Sequence, residues 1–177
     1  LAAEATFNQA SVDGDMSTND TLLALASGRA FAAPLAGDAP PALVDAFVAV
    51  CDVLARAMVA DGEGAEHLVE LHVGGLATDA DARAVAKAIA TSPLVKTALF
   101  GKDPNWGRIL AAAGRAGAPF DPSCARIAVG DVEIVRGGLA VGREAEARAR
   151  DVMRGATYAL HVTLGDGPGR ARYLTCD

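Results

Sequence analysis

Asp103-Pro104-Asn105-Trp106-Gly107-Arg108 holds the only tryptophan of the chain, set between an Asn and a Gly, with a Pro just before and Arg just after. Such a stretch is poor core material. It opens as a turn, because proline fixes its own φ and pushes the residue before it out of the helical region. Ahead of it, Ser92-Pro93 breaks the chain and Leu94 to Phe100 reads as a short strand. Behind it, the apolar Ile109-Leu-Ala-Ala-Ala continues a helix that runs from about Trp106 to Ala113. Strand, polar turn and helix in succession indicate a mixed α/β (α+β) fold. On the residues alone, two readings of the turn stay open. It is a helix start, with Trp106 in the core and Arg108 on a carboxylate, or a polar loop that holds a small ligand through Asn105 and Arg108.

Working outward, Asp79 to Ala90 reads as a helix whose acidic first turn suits the helix dipole. His67 to Val73 alternates, with Val69, Leu71 and Val73 on one side, as a strand does. His67 and His72 then face opposite sides and cannot form a simple ligand pair. Upstream, Leu43, Phe47, Val50, Leu54 and Met58 recur at three- and four-residue steps, which places them on one face of a long helix after the Gly37–Pro41 linker. Asp61-Gly62-Glu63-Gly64 ends that helix, with Gly62 or Gly64 as its C-terminal glycine. Ser11 to Asp15 and Thr21 to Ala26 read as two short strands around a polar loop. Downstream, Arg126 to Val135 reads as two strands split by Gly130-Asp131, a hairpin signal. Glu144 to Arg154 is a charged helix. Tyr158 to Leu164 and Ala171 to Cys176 read as a last hairpin around Gly165–Gly169. Strands and helices do not alternate strictly, which argues for mixed sheets with helices on their outer faces. Residues 1–177 read as a single domain.

With 177 residues, 51% of them hydrophobic and 21% charged, the chain is globular rather than disordered. Net charge is −6 and no basic stripe exists, which argues against a nucleic-acid partner. Cys51, Cys124 and Cys176 are odd in number, far apart and outside any Cys-x-x-Cys pair, so a disulfide framework or zinc knuckle is not expected and a reducing cytoplasm fits best. No apolar run reaches membrane-spanning length and no signal peptide is visible.

Asp13-Gly-Asp15-Met-Ser17-Thr-Asn19-Asp20-Thr21 places oxygen ligands at alternate positions, as a calcium loop begins. A calcium loop needs Gly at its sixth position and Glu at its twelfth, where this chain has Thr18 and Ala24, so a turn held by side-chain-to-backbone hydrogen bonds is the better reading. In Asp61-Gly62-Glu63-Gly64 the flanking glycines leave the Glu63 carboxylate uncrowded, fit either to bind an ammonium group or to sit in a solvated cap loop. No Ser-centred elbow, phosphate loop or three-His metal set is present. No motif implies a metal, nucleotide or flavin.

Thr6-Phe-Asn, Val12-Asp-Gly-Asp-Met-Ser-Thr-Asn-Asp-Thr21, Asp61-Gly-Glu-Gly-Ala65, Ser92-Pro-Leu-Val-Lys-Thr-Ala98 and Phe100-Gly-Lys-Asp-Pro-Asn-Trp-Gly-Arg-Ile109 follow one another in this order, and the chain closes with Thr175-Cys176-Asp177. Together these motifs resemble the β chain of the ornithine acetyltransferase (glutamate N-acetyltransferase) family of bifunctional arginine-biosynthesis proteins. The resemblance spans the whole chain. It implies a helix–sheet–sheet–helix sandwich made from a precursor that cleaves itself before a Thr. That Thr becomes nucleophile, with its own amine as base. It takes acetyl from N-acetyl-L-ornithine and passes it to L-glutamate, and many members also accept acetyl-CoA as donor. The resemblance further implies an α chain that supplies the oxyanion hole, and an α2β2 assembly. No cofactor is implied. Residue by residue, Glu63 matches the family's substrate-binding glutamate, suited to the positive end of ornithine or its α-amino group. Asn105, Arg108, Asn19 and Asp20, with Ser17, are further candidates either to line the site or to brace the structure.

Three departures from the family pattern are visible. The nucleophilic Thr is expected upstream of Leu1, so no catalytic residue is assigned within these residues; Thr6, Thr18 and Thr21 do not occupy its place. Glu66-His67 stands where the family usually has Thr-Lys. The family's substrate-contacting tail would follow Asp177. A related self-cleaving amidase or aminopeptidase, passing its acyl group to water, and a non-catalytic subunit are the alternative readings.

Overall fold

Residues 1–30, 33 and 37–177 are described by a computed structural model. Among them the elements run α1 (Ala2–Ala5), β1 (Ala10–Ser11), α2 (Pro41–Ala60), β2 (Leu68–Gly75), α3 (Asp79–Ala90), α4 (Pro93–Phe100), α5 (Trp106–Gly114), β3 (Arg126–Val129), β4 (Val132–Arg136), β5 (Leu139–Ala140), α6 (Arg143–Val152), β6 (Thr157–Thr163) and β7 (Gly167–Cys176). The strands form one mixed seven-stranded sheet in the order β1-β7-β2-β6-β3-β4-β5. Central strand β2 is parallel to β6 and antiparallel to β7.

The alternation of β2 sorts the two faces of this sheet. Val69, Leu71 and Val73 are fully buried and join Ile89 of α3, Ile109 of α5, Ile127 of β3 and Leu160 of β6 in the main core. Helices α3 to α6 therefore cover that face. On the opposite face Leu68, Leu174 and Cys176 meet Ala55 and Val59 of α2 in a small second cluster. Beyond that cluster the same face turns polar, with Glu70, His72, Arg172 and His161 on adjacent strands.

Several expected elements stand as read. The helix at Asp79–Ala90 is capped by Thr78, whose Oγ1 accepts the Asp81 N–H and donates to the Asp81 carboxylate. The Gly130-Asp131 hairpin joins β3 to β4, with Gly130 in the left-handed region at φ +58°. Three expectations are overturned. Leu94 to Phe100 is helical, not a strand: Pro93 occupies the first turn of α4, where a missing N–H costs nothing, so Ser92-Pro93 starts a helix rather than only ending one. Thr21 to Ala26 forms no strand; it has no neighbouring strand among the described residues, and Leu22, Leu23 and Leu25 are exposed. Strands β6 and β7 are not a hairpin, because β2 lies between them. The glycines of the Gly165–Gly169 segment serve close passage instead. A Cβ on Gly167 or Gly169 would lie 2.1 Å from the Leu76 carbonyl oxygen or 2.3 Å from that of Thr78. The stripe Leu43, Phe47, Val50, Leu54 and Met58 shares one face of α2 as expected; that face is exposed, between 41% and 59% per residue, while Cys51, Ala55 and Val59 face inward. No described helix is long and apolar enough to cross a membrane.

Candidate functional site

Glu63 sits on the connection between α2 and β2. The turn closes through the Ala65 N–H on the Gly62 carbonyl at 3.0 Å. Both glycines are required by local geometry. A Cβ on Gly62 would stand 2.8 Å from Cγ1 of Val12, and Gly64 has φ +77°. Gly62 lets the loop close onto Val12, Gly64 supplies its left-handed turn, and Glu63 itself stays exposed to solvent. The C-cap of α2 is Asp61, and Gly62 follows it without a left-handed backbone; Gly64, three residues past the cap, takes that conformation and redirects the chain.

Where β2 begins, β7 ends, and the two are tied by Asp177. Its Oδ1 accepts the backbone N–H groups of Glu66 and His67, both at 2.8 Å. His67 is buried, its ring tilted against that of Tyr158 at 5.9 Å, and its Nδ1 lies 2.9 Å from the Gly155 carbonyl oxygen. Burial, and next to it the charge of Asp177, push the Tyr158 hydroxyl well above its ordinary value. Glu66 points outward and pairs with Lys102 at 2.9 Å.

Lys96 of α4 reaches the same end of the sheet. Its ammonium donates to the Cys176 carbonyl oxygen at 2.5 Å and lies 3.5 Å from the Thr175 hydroxyl oxygen. Thr175 in turn donates to the Ala90 carbonyl at 3.0 Å. Lys96 and Asp177 line a cleft with Asp13, Thr91 and Phe100. Asp13 also borders a neighbouring cleft, with Asp15, Asp20 and Met58. The Glu63 loop, the acidic Asp13–Asp20 segment and the Lys96–Asp177 cluster thus gather around Val12 and Asp13. Cations and carboxylates presented side by side in this way suit a zwitterionic ligand with an ammonium and a carboxylate.

The remaining candidates are held by local bonds. Ser17 Oγ accepts the N–H groups of Asn19 and Asp20 and donates to Asn19 Oδ1, so that segment is a side-chain-stapled turn. Asn105 caps α5 and donates to the Asp103 carboxylate at 3.0 Å. Arg108 binds no carboxylate; it donates to the Leu94 carbonyl at 2.9 Å and the Thr97 hydroxyl at 3.0 Å, which fastens α5 to α4. Trp106 packs half-buried against the main core. Asn105 and Arg108 line a cleft with Ser92 and Arg115, separate from that of Lys96 and Asp177.

On the polar sheet face Arg56 bridges Asp52 and Glu70, at 2.8 and 2.6 Å, and Arg172 joins both acids. Burial pulls the Asp52 carboxyl up, but the hydrogen bonds of Arg56 and Arg172 outweigh it and hold Asp52 below its ordinary value. Next to this quartet His72 and His161 stack at 5.0 Å.

Lys96, Asp177 and His67 are quoted in the sequence reading, but neither they nor Tyr158 are read there as site residues. Lys96 was visible inside Ser92–Ala98, yet reading that segment as a strand left no reason to aim its side chain at the chain's end. Asp177 lies 110 positions from His67, beyond any spacing rule.

These features define a class: a mixed α/β sheet layer, helix-covered on one face, that gathers a free carboxylate loop and a lysine–aspartate cluster at one end. Residues 1–177 match the model of the ArgJ family, and the chain belongs to that family. It is 46% identical over 178 residues to the arginine biosynthesis bifunctional protein ArgJ of Desulfotalea psychrophila, across 99% of this chain and 45% of that protein. It is 45% identical over 180 residues to the protein of the same name from Gloeobacter violaceus, across 99% and 44%. Its fold is similar to the crystal structure of arginine biosynthesis bifunctional protein ArgJ from Bacillus halodurans, with TM-score 0.91 and 36% identity, over 99% of this chain and 84% of that one. The chain spans a little under half the length of the curated relatives it matches.

Proposed function

We propose that this chain is the larger part of the β chain of an ornithine acetyltransferase, moving acetyl from N-acetyl-L-ornithine to L-glutamate in arginine biosynthesis. The observation that carries the proposal is the match along the full chain to bifunctional arginine-biosynthesis proteins, with Glu63 displayed free of packing on its glycine-flanked loop. In this reading the nucleophile is a Thr at a self-cleavage point in the preceding part of the protein. Its hydroxyl oxygen attacks the acetyl carbonyl carbon and its amine takes the proton. The C–N bond to ornithine breaks, and ornithine leaves with a proton on its nitrogen. The glutamate amine then attacks the acetyl ester and releases the threonine hydroxyl. An oxyanion hole from the α chain stabilises both tetrahedral intermediates. Glu63 holds an ammonium of the substrate. No cofactor takes part, and acetyl-CoA, where accepted, enters as a donor substrate.

The exposed apolar stripe of α2 supports a partner. Side chains such as Phe47, Val50 and Leu54 displayed on one helix face are an interaction surface rather than a solvent surface. The α chain is proposed to pack there, in a cytoplasmic α2β2 assembly.

Intact-mass measurement of the full gene product, with and without N-acetyl-L-ornithine, tests the proposal. Two chains, with one acetyl group gained by a Thr-started chain that contains these residues, is the expected result. One uncleaved chain, or two that never gain acetyl, overturns it.

A further inference from the structure

Three polar atoms at the junction of β2 and β7 are buried without any hydrogen-bond partner: His67 Nε2, Asp177 Oδ2 and the Tyr158 hydroxyl. Buried groups of this kind are costly unless something satisfies them. Their arrangement says what that something is. The Gly155 carbonyl can only accept, so Nδ1 of His67 carries a proton, and in the neutral ring that a metal requires Nε2 presents its lone pair. Asp177 Oδ1 is already taken by two backbone N–H groups, so Oδ2 is the free anionic oxygen. Nε2 lies 3.9 Å from Asp177 Oδ2 and 3.9 Å from Glu66 Oε2, and all three atoms fall within 4.8 Å of one another.

A distance of 3.9 Å is too long for a hydrogen bond. It is close to the spacing of ligands that share an ion: tetrahedral zinc with bonds of about 2.0–2.1 Å sets its ligands about 3.4 Å apart. The two pairs that include His67 have to close by about half an ångström, and the Glu66–Asp177 pair by up to about 1.4 Å, movements that a rotation of the exposed Glu66 side chain supplies on its side. The donor set is one neutral imidazole and two carboxylates, so a divalent cation makes the site neutral. An imidazole nitrogen among the donors favours a transition metal over magnesium or calcium. The Nδ1–H bond to a backbone carbonyl is the outer-shell contact that orients a metal-binding histidine.

We propose that Glu66, His67 and Asp177 bind one divalent transition-metal ion of the zinc class, clasping the start of β2 to the end of β7. A water on the open coordination position gives the Tyr158 hydroxyl its missing partner. The ion is structural: it anchors the connection that carries Glu63, three residues before Glu66. Lys102 competes for Glu66 Oε2 at 2.9 Å and gives way to the ion.

The test is a titration of metal-stripped full-length protein with cobalt(II), read by visible absorption, and with zinc(II), read by calorimetry and by thermal unfolding. We expect one equivalent of metal per chain, the intense bands of four-coordinate cobalt, and a rise in Tm. His67→Gln should weaken binding by about tenfold or more, while Lys102→Met should tighten it. His67→Lys places an ammonium where the ion would sit, so it should fold without metal and show no metal-dependent rise in Tm. Absence of saturable binding in the wild type, which would leave an ordered water as the occupant, overturns the proposal. So does binding that His67→Lys leaves unchanged. Neither readout depends on acetyl transfer, so this inference and the proposed function fail separately.

Discussion

The side-chain oxygen of Asn105 accepts the backbone N–H of Arg108 at 3.2 Å, and this single bond starts α5. The amide's other end is tied to Asp103, so both ends of the Asn105 side chain are occupied. Asn105→Ala should therefore cost about 1 kcal/mol of stability, and Asn105→Ser, which keeps a cap acceptor without setting a second carboxylate against Asp103, should recover most of it. Urea denaturation measures both. A change in KM for the Ser variant at near-normal stability would instead make Asn105 a substrate contact.

Glu63 presents the opposite case. It is exposed, and its loop is shaped by its neighbours, so Glu63→Gln should move stability by no more than about 0.5 kcal/mol. The same change should raise KM for N-acetyl-L-ornithine by about tenfold, the loss of one charge-assisted contact. Steady-state kinetics on the complete enzyme decides; unchanged ornithine-substrate kinetics removes Glu63 from the site.

Gly62 and Gly64 should fail for different reasons. Gly62→Ala drives a methyl group into Val12 and should cost about 1–3 kcal/mol. Trimming the obstacle with Val12→Ala should recover part of that, as a positive coupling in a double-mutant cycle. Gly64→Ala has open space around it but a left-handed backbone, and should cost about 1–2 kcal/mol that no neighbouring substitution relieves.

His72 makes stability depend on pH. Burial, then the positive charge of His161, Arg172 and Arg56, lower its pKa from the ordinary 6.5, and Glu70 at 3.3 Å opposes this without prevailing. A lowered folded-state value means the unfolded chain takes up the proton first. This contribution to stability is fully present above pH 6.5, falls as pH drops below 6.5, and is gone once pH passes the folded value. His72→Gln should flatten stability through that window. Urea midpoints measured between about pH 7.5 and 5 on both proteins check the sign.

Period and punctuation made much of this fold legible. The alternation at His67–Val73, the acidic helix start at Asp79 and the Gly130-Asp131 turn each depend on residues within one element, and each was found. What escaped depends on distant neighbours. The α2 stripe is periodic as expected, but periodicity reports that a face exists and not what covers it. The glycines at 165, 167 and 169 look like turn residues, yet their function is to let one backbone slide over another at Gly75 and Leu76. At the site, Glu63 was legible because its motif is contiguous. Lys96, His67 and Asp177 were not, because α4 was read as a strand and because Asp177 lies 110 positions beyond the histidine it meets.

The position of β2 constrains how this protein is made. Val69 pairs with Tyr158 on one side and Thr175 on the other, so both neighbours of the central strand come from the far end of the sequence. During synthesis β2 leaves the ribosome long before either partner exists, while α3, α4 and α5 can form from local contacts at once. Closure of these strands must then wait for β7, and the nascent chain carries an unpaired, strongly apolar strand in the meantime. Truncations that remove the last strand are accordingly expected to aggregate rather than to yield a smaller folded piece.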